Sequence, residues 1–279
     1  MSGQDLSVPS LFNVKGKIVL VTGGSVGIGK MIATGFARNG ATVYIAARKE
    51  AQLKEAVEEI KKVATTEGVH YIPANVSSKA GCDALIAKFK KRESNLHVLV
   101  NNSGITWGGP FNDFPEEKGW DNVFNVNVKS IFYMTAGLSD YLVKGSTSTD
   151  PARVINISST ASVDPHSEGP LSDAGNGTWS YQSSKAAVNH LTSQLAVKLA
   201  PSFVTVNAIL PGVYPSKMTA YGFRTSGDKM VAGQPMGRVG SPGDMAGLAL
   251  FLASPASAHI TGQHIITDGG ARLFRTAKM

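Results

Sequence analysis

Tyr181 and Lys185 stand four residues apart in the run WSYQSSK. On a helix that spacing sets both side chains on one face, where an ammonium stabilises a neighbouring phenolate and the pair can move a proton. A second run, Lys17 to Lys30 (KIVLVTGGSVGIGK), carries Gly23, Gly27 and Gly29. Glycine there permits positive φ and lets a bulky anion approach without meeting a Cβ. The free N–H groups and positive dipole end of the helix that follows would then face that anion. The spacing is TGxxxGxG rather than the common GxGxxG, so the turn reads as a nucleotide-phosphate cradle, although the same glycines also suit a plain tight connection.

The elements that position these groups follow from periodicity. Ile18 to Val21 is a short apolar run that passes through the glycines into helical spacing of Met31, Ile32, Phe36 and Ala37, which is strand, turn, helix. Further strands are expected at 41–46, 69–73, 97–101, 153–157, 203–210 and 263–267. Helices are expected at 50–66, from an N-cap at Ser77 to Arg92, at 121–144, 179–200 and 244–252. Strands alternating with helices define an α/β fold, a single-domain doubly wound parallel sheet (Rossmann-like) with helices on both faces, whose ligands sit at the carboxyl ends of the strands. Two segments stand outside this pattern: a polar loop at 162–178 and a substrate flap at 213–239. Asn127 falls inside the 121–144 helix, where an amide is a modest helix former and by itself reads as solvent-facing.

The residues after the second strand bear on the cofactor. In dinucleotide folds an acidic residue about 20 positions past the glycines binds the adenosine ribose and repels a 2′-phosphate. This chain has Arg48 and Lys49 there, with no carboxylate before Glu50. A guanidinium fork suits a phosphate, which favours NADP(H) over NAD(H). Moving a tyrosine pKa from about 10 to about 7 takes roughly 4 kcal/mol, within reach of one ammonium plus a positively charged nicotinamide in a partly dry cleft.

Composition excludes several classes. The 279 residues are 42% hydrophobic and 17% charged, enough to bury a large core. No run approaches the ~18 apolar residues of a membrane span, and the N-terminus has neither a signal-peptide nor a transit-peptide pattern. A single cysteine, Cys82, rules out an internal disulfide and fits a reducing, cytoplasmic setting. The net charge of +7 lies in short runs without interleaved aromatics, which argues against nucleic acid. The C-terminal Ala277-Lys278-Met279 is a loose variant of a peroxisomal address. No metal-binding cluster is read.

Taken in order, Thr22-Gly23-x3-Gly27-x-Gly29, Asn101-Asn102-Ser103-Gly104, Asn127, Ser158-Ser159, Tyr181-x3-Lys185 and Pro211-Gly212 resemble the short-chain dehydrogenase/reductase family over about residues 15–270. RVINISS, PGVYPSKMT and QPMGR are most similar to its rhamnolipid-biosynthesis type of β-ketoacyl reductase. The resemblance implies an NADPH-dependent reduction of a ketone to a secondary alcohol, with Tyr181 as general acid, Lys185 lowering its pKa and holding the nicotinamide ribose, Ser159 bonding the carbonyl oxygen and Asn127 holding a relay water. It places Gly23, Ser25, Gly27, Ile28, Gly29, Arg48, Lys49, Asn75, Val76, Asn102, Gly104, Tyr181, Lys185, Pro211, Gly212, Val213 and Ser216 on the cofactor. A small-molecule carbonyl or alcohol substrate and a homotetramer or homodimer built partly on the 121–144 and 179–200 helices are also implied.

Departures from the family pattern are Ser103 for Ala, Asn75 for Asp, Val26 where many NADP-preferring members carry Arg or Lys, and a Ser159-to-Tyr181 gap of 22 residues. Trp107, Phe111, Phe114, Trp179, Tyr214, Tyr221 and Phe223 are expected near the cleft and would suit an acyl or bulky aromatic ketone, or simply pack the flap. A polyol, sugar or polycyclic-ketone dehydrogenase and a non-catalytic NADP(H)-sensing protein are the competing readings.

Overall fold

Seven strands form one all-parallel sheet: β1 (Ile18–Thr22), β2 (Thr42–Ala47), β3 (Val69–Pro73), β4 (Val98–Asn101), β5 (Ala152–Ile157), β6 (Val204–Pro211) and β7 (His264–Thr267). Their spatial order is 3-2-1-4-5-6-7, so the chain reverses direction across the sheet between β1 and β4. Such a reversal leaves a crevice at the carboxyl ends of those two strands. The molecule is represented by a computed structural model that describes residues 5–169, 172–216 and 219–274. The readings placed on the Tyr221 side chain and on Ala277-Lys278-Met279 lie outside the described residues.

Burial explains the layers. Val19, Val21, Val43, Ile45 and Val98, all fully buried, face α1 (Gly27–Arg38) and α7 (Pro242–Ala253) through Ile32, Phe36, Met245 and Leu252. Leu20, Ile72, Leu99 and Val154 cover the other face with α3 (Lys79–Lys90) and α5 (Trp179–Leu199). Alternate residues of each strand thus serve opposite faces, and each large aliphatic chain removed from water contributes about 1.5–3 kcal/mol. Helix α2 (Glu50–Lys61) completes the first layer with Leu53, Val57 and Ile60.

Several boundaries differ from expectation. Helix α3 is capped by Ser78, not Ser77, because the Ser78 side chain accepts the Gly81 N–H at 3.1 Å. The expected 121–144 helix is broken. Residues Glu116–Asp121 and Asn125–Lys129 form wide π-type turns, α4 covers Ser130–Gly137, and a short helix spans Ser139–Val143. The 162–178 segment is partly structured, since Asn176–Gly177 pairs antiparallel with Gly109–Pro110 and Trp179 Nε1 donates to the Gly109 carbonyl. The flap contains α6 (Ala220–Ala232).

Among the described residues no helix is long and apolar enough to cross a membrane, and no group of three or more His, Cys, Asp or Glu is placed to hold a metal ion.

Candidate active site

The glycine turn is built by close approach. Gly23 and Gly27 have φ of +66° and +54°, while Gly29 does not need a positive φ. Gly29 instead packs so tightly that a Cβ there would sit 2.4 Å from the Gly23 carbonyl oxygen. Asn102, just past β4, holds the turn by donating from Nδ2 to the carbonyls of Thr22 and Gly23 at 3.0 and 3.1 Å. The Thr22 hydroxyl accepts the Asn102 and Ser103 N–H groups at 3.0 and 3.1 Å, closing the bracket between β1 and β4.

At the start of α1, Val26 is the N-cap and no side chain bonds the first N–H groups. They remain available to an anion. Around this turn lies a cleft of about 430 Å³ lined by Gly23, Ser25, Val26, Gly27, Ile28, Arg48, Lys49, Asn75, Val76, Asn102, Gly104, Pro211, Gly212 and Ser216. Arg48 takes part in no ion pair among the described residues.

Ser159, Tyr181 and Lys185 line the same cleft. Strand β5 delivers Ser158 and Ser159 to its carboxyl edge, and α5 brings Tyr181 and Lys185 on one face. The Ser158 hydroxyl donates to the Lys185 carbonyl at 3.0 Å, fixing helix to strand end. Lys185 is buried; its Nζ donates to the Ile157 carbonyl at 2.8 Å and lies 5.6 Å from the Tyr181 ring centroid.

Burial pushes the Lys185 ammonium down to about 8. It pushes the half-buried Tyr181 phenol up, with a hydrogen bond to Ser159 pulling the other way. In the cofactor-free protein the loss of water around the ring sets the direction, whereas the lowering expected from Lys185 belongs to a cleft that also holds a positively charged nicotinamide.

Three expected site residues do not line the cleft. Gly29 lies behind the turn, and Val213 spends its carbonyl on the Gly240 N–H at 2.9 Å. Asn127 is fully buried rather than solvent-facing. Its Oδ1 accepts the Ile105 N–H, and its Nδ2 donates to the Ile105 carbonyl and to Ser184 Oγ, each at 2.9 Å. It lies four residues after Val123 and four before Ile131, both buried, so it shares their inward helix face; its polar side chain, not its position, is what reads as solvent-facing.

Sequence reasoning missed Gln52, Ile105, Val126 and Thr219 in the cleft wall. Gln52 lies four residues beyond Arg48 at the start of α2, a spacing that points to the same edge. Phe111, Phe114 and Trp179 surround a different cavity, also about 430 Å³, with Gln182, Ser183 and Ala186. Positions 179, 182, 183 and 186 form a face of α5 other than that of Tyr181 and Lys185. These aromatics therefore do not meet the reacting atoms, whereas Tyr214, bonded through its hydroxyl to Thr267 at 2.8 Å, does line the cleft.

A glycine-bracketed crevice at the chain reversal, with a serine, a tyrosine and a lysine converging on its wall, defines a dinucleotide-dependent oxidoreductase. The family model described as enoyl-(acyl carrier protein) reductase matches residues 23–272, and the chain belongs to the short-chain dehydrogenase/reductases.

Among its relatives, the rhamnolipids biosynthesis 3-oxoacyl-[acyl-carrier-protein] reductase of Pseudomonas aeruginosa is 38% identical over 267 residues, 94% of this chain and 98% of that one. The 5-keto-D-gluconate 5-reductase of Escherichia coli (strain K12) is 32% identical over 265 residues, 93% and 97% of the two chains. The solved Pseudomonas aeruginosa RhlG/NADP active-site complex superposes with a TM-score of 0.86 at 37% identity, covering 94% and 98%.

Proposed function

We propose that this chain binds NADP(H) and catalyses reversible reduction of a ketone to a secondary alcohol. The observation that carries it is the convergence of Ser159, Tyr181 and Lys185 on the cleft that the glycine turn opens. The turn fits a dinucleotide: its helix N-terminus has no side-chain cap, and its positive-φ glycines leave room for a pyrophosphate. Arg48 and Lys49, with Gln52, stand where an adenosine 2′-phosphate would lie, while Asn75 and Val76 flank the adenine end. When bound, the reduced nicotinamide supplies the hydride.

The protein's own groups supply the rest. The Ser159 hydroxyl orients the substrate carbonyl, and Tyr181 gives its phenolic proton to the oxygen as negative charge develops there. A phenol held neutral by burial suits a donor. Cationic Lys185 stabilises the phenolate left behind and holds the ribose. Asn127 acts through its grip on Ile105 rather than by touching substrate.

Substrate class follows the relatives: a 3-oxoacyl thioester is the first choice, and a keto sugar acid the second, favoured by the 5-keto-D-gluconate reductase at 32% identity. Spectrophotometric NADPH oxidation with β-ketoacyl, keto-sugar-acid, quinone and polycyclic carbonyls tests the reading. Consumption by none of them would favour a non-catalytic NADP(H) sensor.

Arg48→Glu is expected to shift the kcat/KM preference for NADPH over NADH by at least about tenfold toward NADH, since a carboxylate repels the 2′-phosphate and a guanidinium pairs with it. An unchanged ratio would remove Arg48 from the cofactor assignment. A homotetramer or homodimer built partly on the 121–144 and 179–200 segments belongs to this reading; Phe132 and Val197, 47% and 79% exposed, lie on them. The single cysteine, Cys82, buried in the core, is the ground on which a reducing cytoplasmic compartment is proposed as the enzyme's location.

A further inference from the structure

Ser184 sits between Tyr181 and Lys185 on α5, fully buried, and none of the proton-transfer roles above uses it. Its hydroxyl makes two bonds. Oγ accepts from Asn127 Nδ2 at 2.9 Å and donates to the Tyr181 carbonyl at 2.6 Å.

The direction of this chain is not free. The Ile105 N–H donates to Asn127 Oδ1 at 2.9 Å, so the amide cannot flip without breaking that bond. Nδ2 must therefore face Ser184 as a donor, which leaves the serine proton only the Tyr181 carbonyl. That carbonyl belongs to the helical turn that carries both the phenol and, four residues on, the lysine.

We infer that Ser184 is a positioning residue that locks the Asn127 amide to the backbone turn bearing Tyr181 and Lys185, so that the wide turn at 125–129 and the catalytic helix hold one fixed relation. Gly104 sits at the junction: a Cβ there would lie 3.5 Å from both Asn127 Oδ1 and Lys185 Nζ. A shift of the amide is thus felt where the ammonium resides. The inference rests on the reductase reading for its consequence, but not for its geometry.

The neighbouring Ser183 provides a control, because it makes the same kind of back-bond, to the Trp179 carbonyl at 3.0 Å, from an exposed position that does not touch Asn127. A 1 Å displacement of reacting groups can cost about a hundredfold in rate, so a loosened lock should be visible in kcat.

The test compares wild type, Ser184→Ala, Ser184→Cys, Ser184→Thr and Ser183→Ala. Ser184→Cys fills the site with a thiol that bonds weakly, so it reports even where the alanine variant does not fold. The first readout is NADPH-dependent ketone reduction against pH, with the NADPH Kd measured in parallel. The second is hydrogen exchange at the Ile105 amide in the cofactor-free protein.

Ser184→Ala and Ser184→Cys are expected to lower kcat at least about tenfold, to move the alkaline limb of its pH profile and to leave the NADPH Kd within about twofold. Exchange at Ile105 should quicken by about tenfold as its acceptor loosens. Ser184→Thr should restore both, and Ser183→Ala should change neither.

Wild-type kcat, pH profile and Ile105 exchange in Ser184→Cys would overturn the proposal. So would a loss of melting temperature in Ser184→Ala and Ser184→Cys with kcat and pH profile unchanged, since that is a purely structural role. A wild-type protein that reduces no carbonyl, yet whose Ile105 exchange responds to Ser184→Cys, would instead overturn the reductase reading and leave the lock standing.

Discussion

Tyr181→Phe is expected to reduce kcat for ketone reduction by about 10²–10⁴-fold, the usual contribution of a positioned general acid, or roughly 2.7–5.5 kcal/mol of barrier. The ring stays, so packing against the cleft wall and the cation–π approach of Lys185, 5.6 Å from its centroid, are kept. The hydrogen bond to Ser159 and the transferable proton are lost. NADPH should still bind within about threefold of wild type, which separates a chemical defect from a binding one. Undiminished turnover in this variant would remove Tyr181 from the mechanism.

Gly29→Ala has the opposite signature. In a helix interior, alanine is ordinarily favoured over glycine by about 1 kcal/mol, and Gly29 lies in α1 without a positive φ. Propensity alone therefore predicts a stabilised protein. Sterics win here, because the new Cβ would lie 2.4 Å from both the Gly23 carbonyl oxygen and Asn102 Nδ2. The first is backbone and cannot swing aside, and the second is the clamp that shapes the turn. The NADPH dissociation constant, read by fluorescence titration, should rise at least about a hundredfold, or about 2.7 kcal/mol. Wild-type affinity would mean that the turn does not hold the pyrophosphate.

Most of the scaffold was legible because it obeys two periods. The strands alternate or run fully apolar, the helices repeat every 3.6 residues, and the glycine spacing and the Tyr181-x3-Lys185 pair sit where the parallel sheet must present them. What escaped depends on geometry that a pattern does not carry. Asn127 reads as exposed because it is polar, yet it lies four residues from both Val123 and Ile131 on the buried face, and the Ile105 and Ser184 partners that satisfy its amide there cannot be read from a pattern. Gly29 reads like Gly23 and Gly27, yet it serves close packing rather than a left-handed backbone.

The aromatics Phe111, Phe114 and Trp179 were expected near the cleft. They face a second cavity, because two residues on a helix separate faces by more than a right angle. A charge at helical spacing, taken alone, lowers the phenol. The structure adds the missing contribution, the desolvation of both groups, and the Ile157 carbonyl that engages the ammonium.

The central claim is that half-buried Tyr181 and buried Lys185 together deliver the proton that accompanies hydride transfer, and the pH dependence of kcat/KM for NADPH-driven reduction addresses it most directly. Burial pushes the Lys185 ammonium down to about 8, so its charge is expected to be lost as the pH rises through that region. The reaction needs that charge and a protonated phenol, so the rate should be highest on the acid side and fall tenfold per unit once the pH exceeds about 8. A profile that stays level, or rises, from about pH 6 to about pH 10 would contradict the account.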